Sequence, residues 1–284
     1  MTKTPWDNGL VIFRIEGLGP PNAAISMTDH VTSNGAVSEF ARIGVRNITI
    51  SIKPTEAPTI EITRQRIYKY FQIAKPVTLE IDTDTRKVYA TGEVESVDAT
   101  IFHSQTTVII SILCADPLLY SQTISQSTFF GVEPRFEFPF SNESLEEKLI
   151  EFGDIQITTR SDAYYEGDVD IGFDISMQAF GRVENVAIYN ANSLEKMAIN
   201  TDRIRQMTGR ELNAGDQILI STTRGNRHIT LLRDGHRINI ISAIERRANW
   251  FQLTPGHNVF AFTADVGQHE LIMILSFKNA FGGI

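Results

Sequence analysis

Carboxylates recur at close intervals in Glu166-Gly-Asp168-Val-Asp170-Ile-Gly-Phe-Asp174. On a strand, Asp168, Asp170 and Asp174 share a parity and point to one side. Carboxylates so placed could ligate calcium or act as the acid and nucleophile of a glycosidase. The calcium-loop spacing of an EF-hand is absent, and a solvated acidic strand face beside a turn accounts for the same residues. The six histidines, His30, His103, His228, His236, His257 and His269, form no HxH, HExxH or HxxxH pattern, so a zinc site has no support. No GxSxG elbow is present. Gly17-Leu-Gly19 is followed by two prolines, where a phosphate cradle needs free N–H groups, and reads as a turn. Cys114 is the one cysteine; it cannot close an internal disulfide and reads as a small buried hydrophobe. Trp250 and Phe251 precede Leu253-Thr-Pro-Gly-His-Asn258. An aromatic there could stack on a sugar ring, although anchoring a core is the commoner role. Trp250 is kept as a candidate glycan contact. No catalytic residue, metal ligand or cofactor is expected.

Composition narrows the classes further. Of 284 residues, 42% are hydrophobic and 21% charged, an ordinary globular balance long enough for two domains. The formal net charge is −8, and Arg203, Arg205, Arg210, Arg246 and Arg247 are scattered or paired rather than massed. A nucleic-acid binder should carry a basic face, so DNA or RNA recognition is not expected. The first ten residues lack the apolar segment of a signal peptide. No apolar run approaches the roughly 20 residues of a membrane helix. A soluble, non-secreted protein folding in a reducing cytoplasm is the expectation.

The elements that must position these residues read mainly as strands. Val11 to Glu16 alternates, with Val11, Phe13 and Ile15 on one face, and Asn47 to Lys53 alternates with Ile48, Ile50 and Ile52 together. Between them the polar stretch from Thr28 to Arg42 reads as a long loop, and long loops in compact domains are usually functional or mobile. Ile67, Tyr70, Phe71 and Ala74 fall on one face of a helix that Pro76 ends, with Pro58 near its start; Ile60 to Thr63 could be helix or strand. Strands follow at Val77 to Asp82, Lys87 to Val94 and Val108 to Cys114. This order is not a repeated βαβ pattern, so a doubly wound sheet is not expected. Asp116-Pro117, the Ser/Thr/Gln run to Thr128, Gly131 and Pro134 place a junction near residue 132, giving domains 1–132 and 133–284. The second half carries short strands: Asp154 to Thr159, Asp168 to Phe180, Val183 to Asn190, Gln217 to Thr222, His228 to Leu232, Phe251 to Leu253, Val259 to Thr263 and Leu271 to Phe277. Turns at this spacing suggest a β-sandwich, with Ile238 to Arg247 the one helical hint.

Two blocks of sequence carry a resemblance. Residues 64 to 120 read RQRIYKYFQIAKPVTLEIDTDTRKVYATGEVESVDATIFHSQTTVIISILCADPLLY. They include a helix ending Lys-Pro-Val, a Thr-Asp-Thr-Arg turn, Gly92-Glu93-Val94-Glu95, and a strand ending Cys-Ala-Asp-Pro. Farther on stand Leu212-Asn-Ala-Gly215-Asp216-Gln-Ile-Leu-Ile220, then Trp250-Phe-Gln-Leu253-Thr-Pro255-Gly256-His-Asn258, and a tail from Phe277 to Ile284. In this order and spacing the blocks resemble the distal tail (Dit) family of long-tailed phages. The chain departs from that pattern at Leu118-Leu119-Tyr120, where aromatics often follow Asp-Pro, and it has no large insertion in the second half.

The resemblance implies an N-terminal tail-tube-like β-sandwich or barrel with one helix and a β-hairpin, followed by a C-terminal galectin-like β-sandwich. It implies a structural virion protein of the tail tip, assembled in the host cytoplasm, and not an enzyme. The implied assembly is a homohexameric ring joining the tail tube protein to the tail-associated lysin or fibre hub, with receptor-binding protein at the periphery. Within that frame, Thr28, His30, Asn34, Glu39 and Arg42 of the polar stretch are candidate ring or partner contacts. The alternative is a carbohydrate-binding module that recognises a cell-wall glycan through the second domain and Trp250. A third reading, a glycosidase using Asp168 and Asp170, would require turnover that vanishes when either is changed to Asn.

Overall fold

A computed structural model of the chain describes residues 9–30, 33–55, 59–101, 106–133, 154–157 and 159–284. Contacts divide it into two compact units, 1–122 with 280–284, and 123–279. The division lies upstream of the junction expected near residue 132, because Ser125–Thr128 already pairs with a strand of the second unit.

The first unit is a seven-stranded antiparallel sheet with one helix. Its elements are β1 (Leu10–Glu16), β2 (Ala23–Asp29), β3 (Ala36–Ile43), β4 (Arg46–Pro54), α1 (Ile60–Tyr70), β5 (Pro76–Asp82), β6 (Lys87–Ala99), β7 (Val108–Cys114) and β8 (Leu119–Ser121). The sheet runs β1-β4-β7-β6-β8 and ends on Ala280–Phe281, while β5 pairs with β6. The alternation in β4 and β7 does what its period demands: Ile48, Ile50, Ile52, Val108, Ile110, Ile112 and Cys114 all face one core. Gly92 lies where β6 crowds β7. A Cβ there would stand 2.7 Å from Cys114 Sγ and 2.8 Å from the Leu113 carbonyl oxygen. Three residues on, Glu95 is the extra residue of a bulge, since Val94 faces Ile112 and Ser96 faces Ser111.

Two expectations for this unit need correction. In β1 the register shifts between Ile12 and Arg14, so Ile12 packs toward the core while Phe13 and Ile15 stand exposed. A bulge breaks the period that strict alternation assumes. The helix covers Ile60–Tyr70 and does not reach Ala74, whose φ of 58° is left-handed. Thr59 caps it by accepting the Ile62 N–H at 3.3 Å. The fully buried face is Thr63 and Ile67, one turn apart, and Tyr70 is exposed.

The second unit is a sandwich of two antiparallel sheets. Its elements are β9 (Ser125–Thr128), β10 (Phe130–Glu133), β11 (Asp154–Ile157), β12 (Arg160–Tyr165), β13 (Asp174–Ala179), β14 (Val186–Asn190), β15 (Glu195–Ile199), α2 (Thr201–Thr208), β16 (Gln217–Ser221), β17 (His228–Arg233), β18 (His236–Asn239), β19 (Gly256–Thr263) and β20 (Leu271–Phe277). One sheet runs β12-β19-β14-β15 and the other β18-β17-β16-β13-β20-β9, with β10–β11 a separate pair. The last strand, β21 (Ala280–Phe281), returns to β8 of the first unit. Aromatic rings fill the sandwich, Phe260 meeting Phe173 at 5.1 Å and Phe251 at 5.8 Å between centroids.

Here too the sequence reading shifts. Asp168 and Asp170 lie before β13, outside any strand, so the three aspartates do not form one strand face. Gly172 and Phe173 separate them from β13; a Cβ on Gly172 would stand 2.3 Å from the Thr223 Cα. The segment expected to be helical, 238–247, holds the end of β18 and a short 3₁₀ turn. The helix is α2, capped by Asn200, which accepts the Arg203 N–H at 3.0 Å, and closed by left-handed Gly209.

Candidate functional site

The stretch expected to be a loop between Thr28 and Arg42 is a β-hairpin. β2 and β3 form a two-stranded sheet of their own, closed by the His30 N–H donating to the Gly35 carbonyl at 3.1 Å. Its polarity misled the reading: nearly every residue is exposed on both faces, so no buried stripe marks the strands. Glu39 is the extra residue of a bulge, opposite the step from Ser26 to Met27. Thr28 Oγ1 donates to its carboxylate at 2.5 Å and Ser26 Oγ at 3.3 Å. The structure therefore brings Thr28 and Glu39 together, sets His30 and Asn34 toward the hairpin tip, and leaves Arg42 toward its base, opposite Ala24.

The hairpin also carries apolar side chains, which its polar composition hides in the sequence. Ile25, Met27, Val37, Phe40 and Ile43 are each about half or more exposed, Met27 reaching 63%. An isolated two-stranded hairpin is marginal in water, and both strands of this one carry exposed apolar residues. β1, an edge strand of the main sheet, adds exposed Phe13 and Ile15.

Trp250 occupies a different setting. It is half-buried and lines a groove of about 500 Å³ with Asn190, Glu195, Arg224, Arg227 and Gln252 among its neighbours. Phe251, next to it, is the residue that anchors the core. The other motif residues are architectural. Asn258, buried, accepts the Thr254 N–H at 3.0 Å and donates to the carbonyls of Thr254 and Gly256, tying the Thr-Pro-Gly turn. Asp216, also buried, takes Arg233 in a two-pronged ion pair at 2.7 and 2.5 Å. Arg233 also donates to Thr208 Oγ1 and the Glu211 carbonyl, so the pair stitches the end of α2 to β16 and β17.

In the first unit, buried Arg46 donates to the carbonyls of Gly17, Gly19, Pro117 and Gly282 at 2.5–2.8 Å. Burial lowers its pKa from the usual arginine value. The same desolvation pushes the pKa of the buried Cys114 thiol up. Among the described residues, no three His, Cys, Asp or Glu side chains stand together as metal ligands, and no helix is long and apolar enough to cross a membrane.

No protein-family model and no curated protein sequence matches the chain. Solved structures do. The crystal structure of the SPP1 Dit protein aligns over 95% of this chain and 94% of that one, with 12% identity and a TM-score of 0.62. The chain has the Dit fold. The SPP1 Dit protein is described as a paradigm of the hub adsorption apparatus in phages that infect Gram-positive hosts. Two structures of the phage P2 baseplate in its activated conformation, with calcium and with strontium, align over 95% of this chain and 91% of theirs. Their identities are 12% and 13%, and their TM-scores 0.42 and 0.43. The Dit fold encompasses both compact units, and the two blocks of resemblance now have physical content. Gly92 is glycine because β7 leaves no room for a side chain. Asp116 of the Asp-Pro turn accepts the Leu118 N–H and the Tyr120 hydroxyl, and the Pro117 carbonyl receives Arg46.

Proposed function

We propose that the chain is a structural hub protein of a phage tail tip, a homohexameric ring that joins the tail tube to the lysin or fibre hub and to receptor-binding components. The first unit forms the ring, and the second, a galectin-like sandwich, faces outward. The observation that carries this reading is the likeness to the SPP1 Dit protein, which spans nearly the whole of both chains.

The β2–β3 hairpin is the contact through which neighbouring copies engage. Its exposed Ile25, Met27, Val37 and Phe40 supply apolar area, and Thr28, His30, Asn34, Glu39 and Arg42 supply the polar surround. A ring interface is heterologous, so the hairpin of one copy meets a different surface of the next. Replacing Met27 and Phe40 with Asp tests this. Light scattering should show the assembled mass falling to that of the monomer, with circular dichroism unchanged. Retention of the assembled mass in the double variant would remove the hairpin from the interface. No reaction is assigned to the chain, and its place is the virion tail.

A further inference from the structure

The Trp250 groove has a chemistry that a hub role does not require. Most of its acceptors are already used. Glu195 accepts from Ser193 Oγ at 2.8 Å and Asn249 Nδ2 at 3.4 Å, and Gln252 Oε1 receives Arg224 at 2.7 Å. The Oδ1 of Asn190, a residue only 4% exposed, accepts the N–H groups of Asn192 and Ser193. What is left unspent is donors. Among the described residues, neither the Asn190 amide nitrogen, the Trp250 indole N–H nor the Arg227 guanidinium has a hydrogen-bond partner, and Arg224 has donors beyond the one that Gln252 takes. Arg227 lies 5.5 Å from the Trp250 ring centroid, a stacked cation beside an aromatic platform. Two guanidiniums against one carboxylate make the groove locally positive on a chain of net charge −8. Its volume of about 500 Å³ suits a small ligand.

A ligand that answers unspent donors must present acceptors. One that answers guanidiniums carries an anionic group, and one that answers a half-exposed indole has a flat or ring-shaped face. We propose that this groove binds an acidic saccharide. Arg227 and Arg224 hold its carboxylate or phosphate, Trp250 packs against the sugar ring, and Asn190 donates to a hydroxyl or ring oxygen. The groove lies wholly within the second unit, so the inference stands whether or not the chain forms a ring.

The test uses the full chain on an array of neutral, carboxylated and phosphorylated saccharides, with titration calorimetry on the strongest binder. Binding is expected for the acidic sets and not the neutral one, and the preferred acidic set identifies the anion. Arg227→Gln should weaken affinity about tenfold or more, and added salt should weaken it further. Trp250→Ala should abolish it. Arg227 is exposed, so its variant keeps the fold and carries the test even if Trp250→Ala does not fold. Equal binding of neutral and acidic sugars, no binding at millimolar saccharide, or an unchanged affinity in Arg227→Gln would overturn the proposal.

Discussion

At the scale of single residues, the motif positions are positions of close approach and buried polarity. Gly92 is the clearest. Its missing Cβ lets β6 lie against Cys114 and Leu113, so Gly92→Ala should destabilise the first unit by about 1–3 kcal/mol through overpacking, read by urea unfolding. Asp216 makes the same point with charge. Removing its carboxylate leaves Arg233 buried without a counterion, and Asp216→Ala should cost about 3–5 kcal/mol in the same assay. The sequence marks both as motif residues but not why. The Gly-Asp pair reads as a turn, which it is, with Gly215 at a φ of 88°. Its arginine lies on another strand, and nothing in the spacing names it. Asn258, buried on β19, is a clasp on the turn before it.

At the scale of elements, period-two patterns are legible wherever one face is buried and silent where none is. β4, β7 and β20 follow directly from their alternating or apolar residues. The β2–β3 hairpin does not, because exposed strands carry no contrast between faces, and a bulge at Glu39 disturbs the register further. The α2 helix was available from its ends, Asn200 before it and Gly209 after it, but its short polar span has no apolar stripe to draw the eye. In β1 the bulge near Phe13 reverses which side chains are covered. In the hairpin and in β1 the cause is shared: a bulge and a lack of contrast between the two faces. The hairpin prediction belongs to this scale. If Met27 and Phe40 are contact residues, hydrogen exchange of the β2 and β3 amides should slow markedly on assembly and remain fast in the double Asp variant.

At the scale of the whole chain, the last five residues complete the first unit. Phe281 joins its core under the Arg86 guanidinium at 4.1 Å, and Arg46 gathers the Gly282 carbonyl with those of Gly17, Gly19 and Pro117. This long-range closure is invisible to local patterns, which placed the tail with the second domain. Deleting 280–284 should lower the stability of the first unit by about 2–5 kcal/mol. Faster hydrogen exchange in β6 and β8, with β13 and β16 unaffected, would report it. Assembly is tested by the mass of the purified protein, measured by light scattering behind a sizing column, with negative-stain images of the peak. A ring of six 31.8 kDa chains is expected. A single species with the mass of one chain at every concentration, and no rings on the grid, would contradict it.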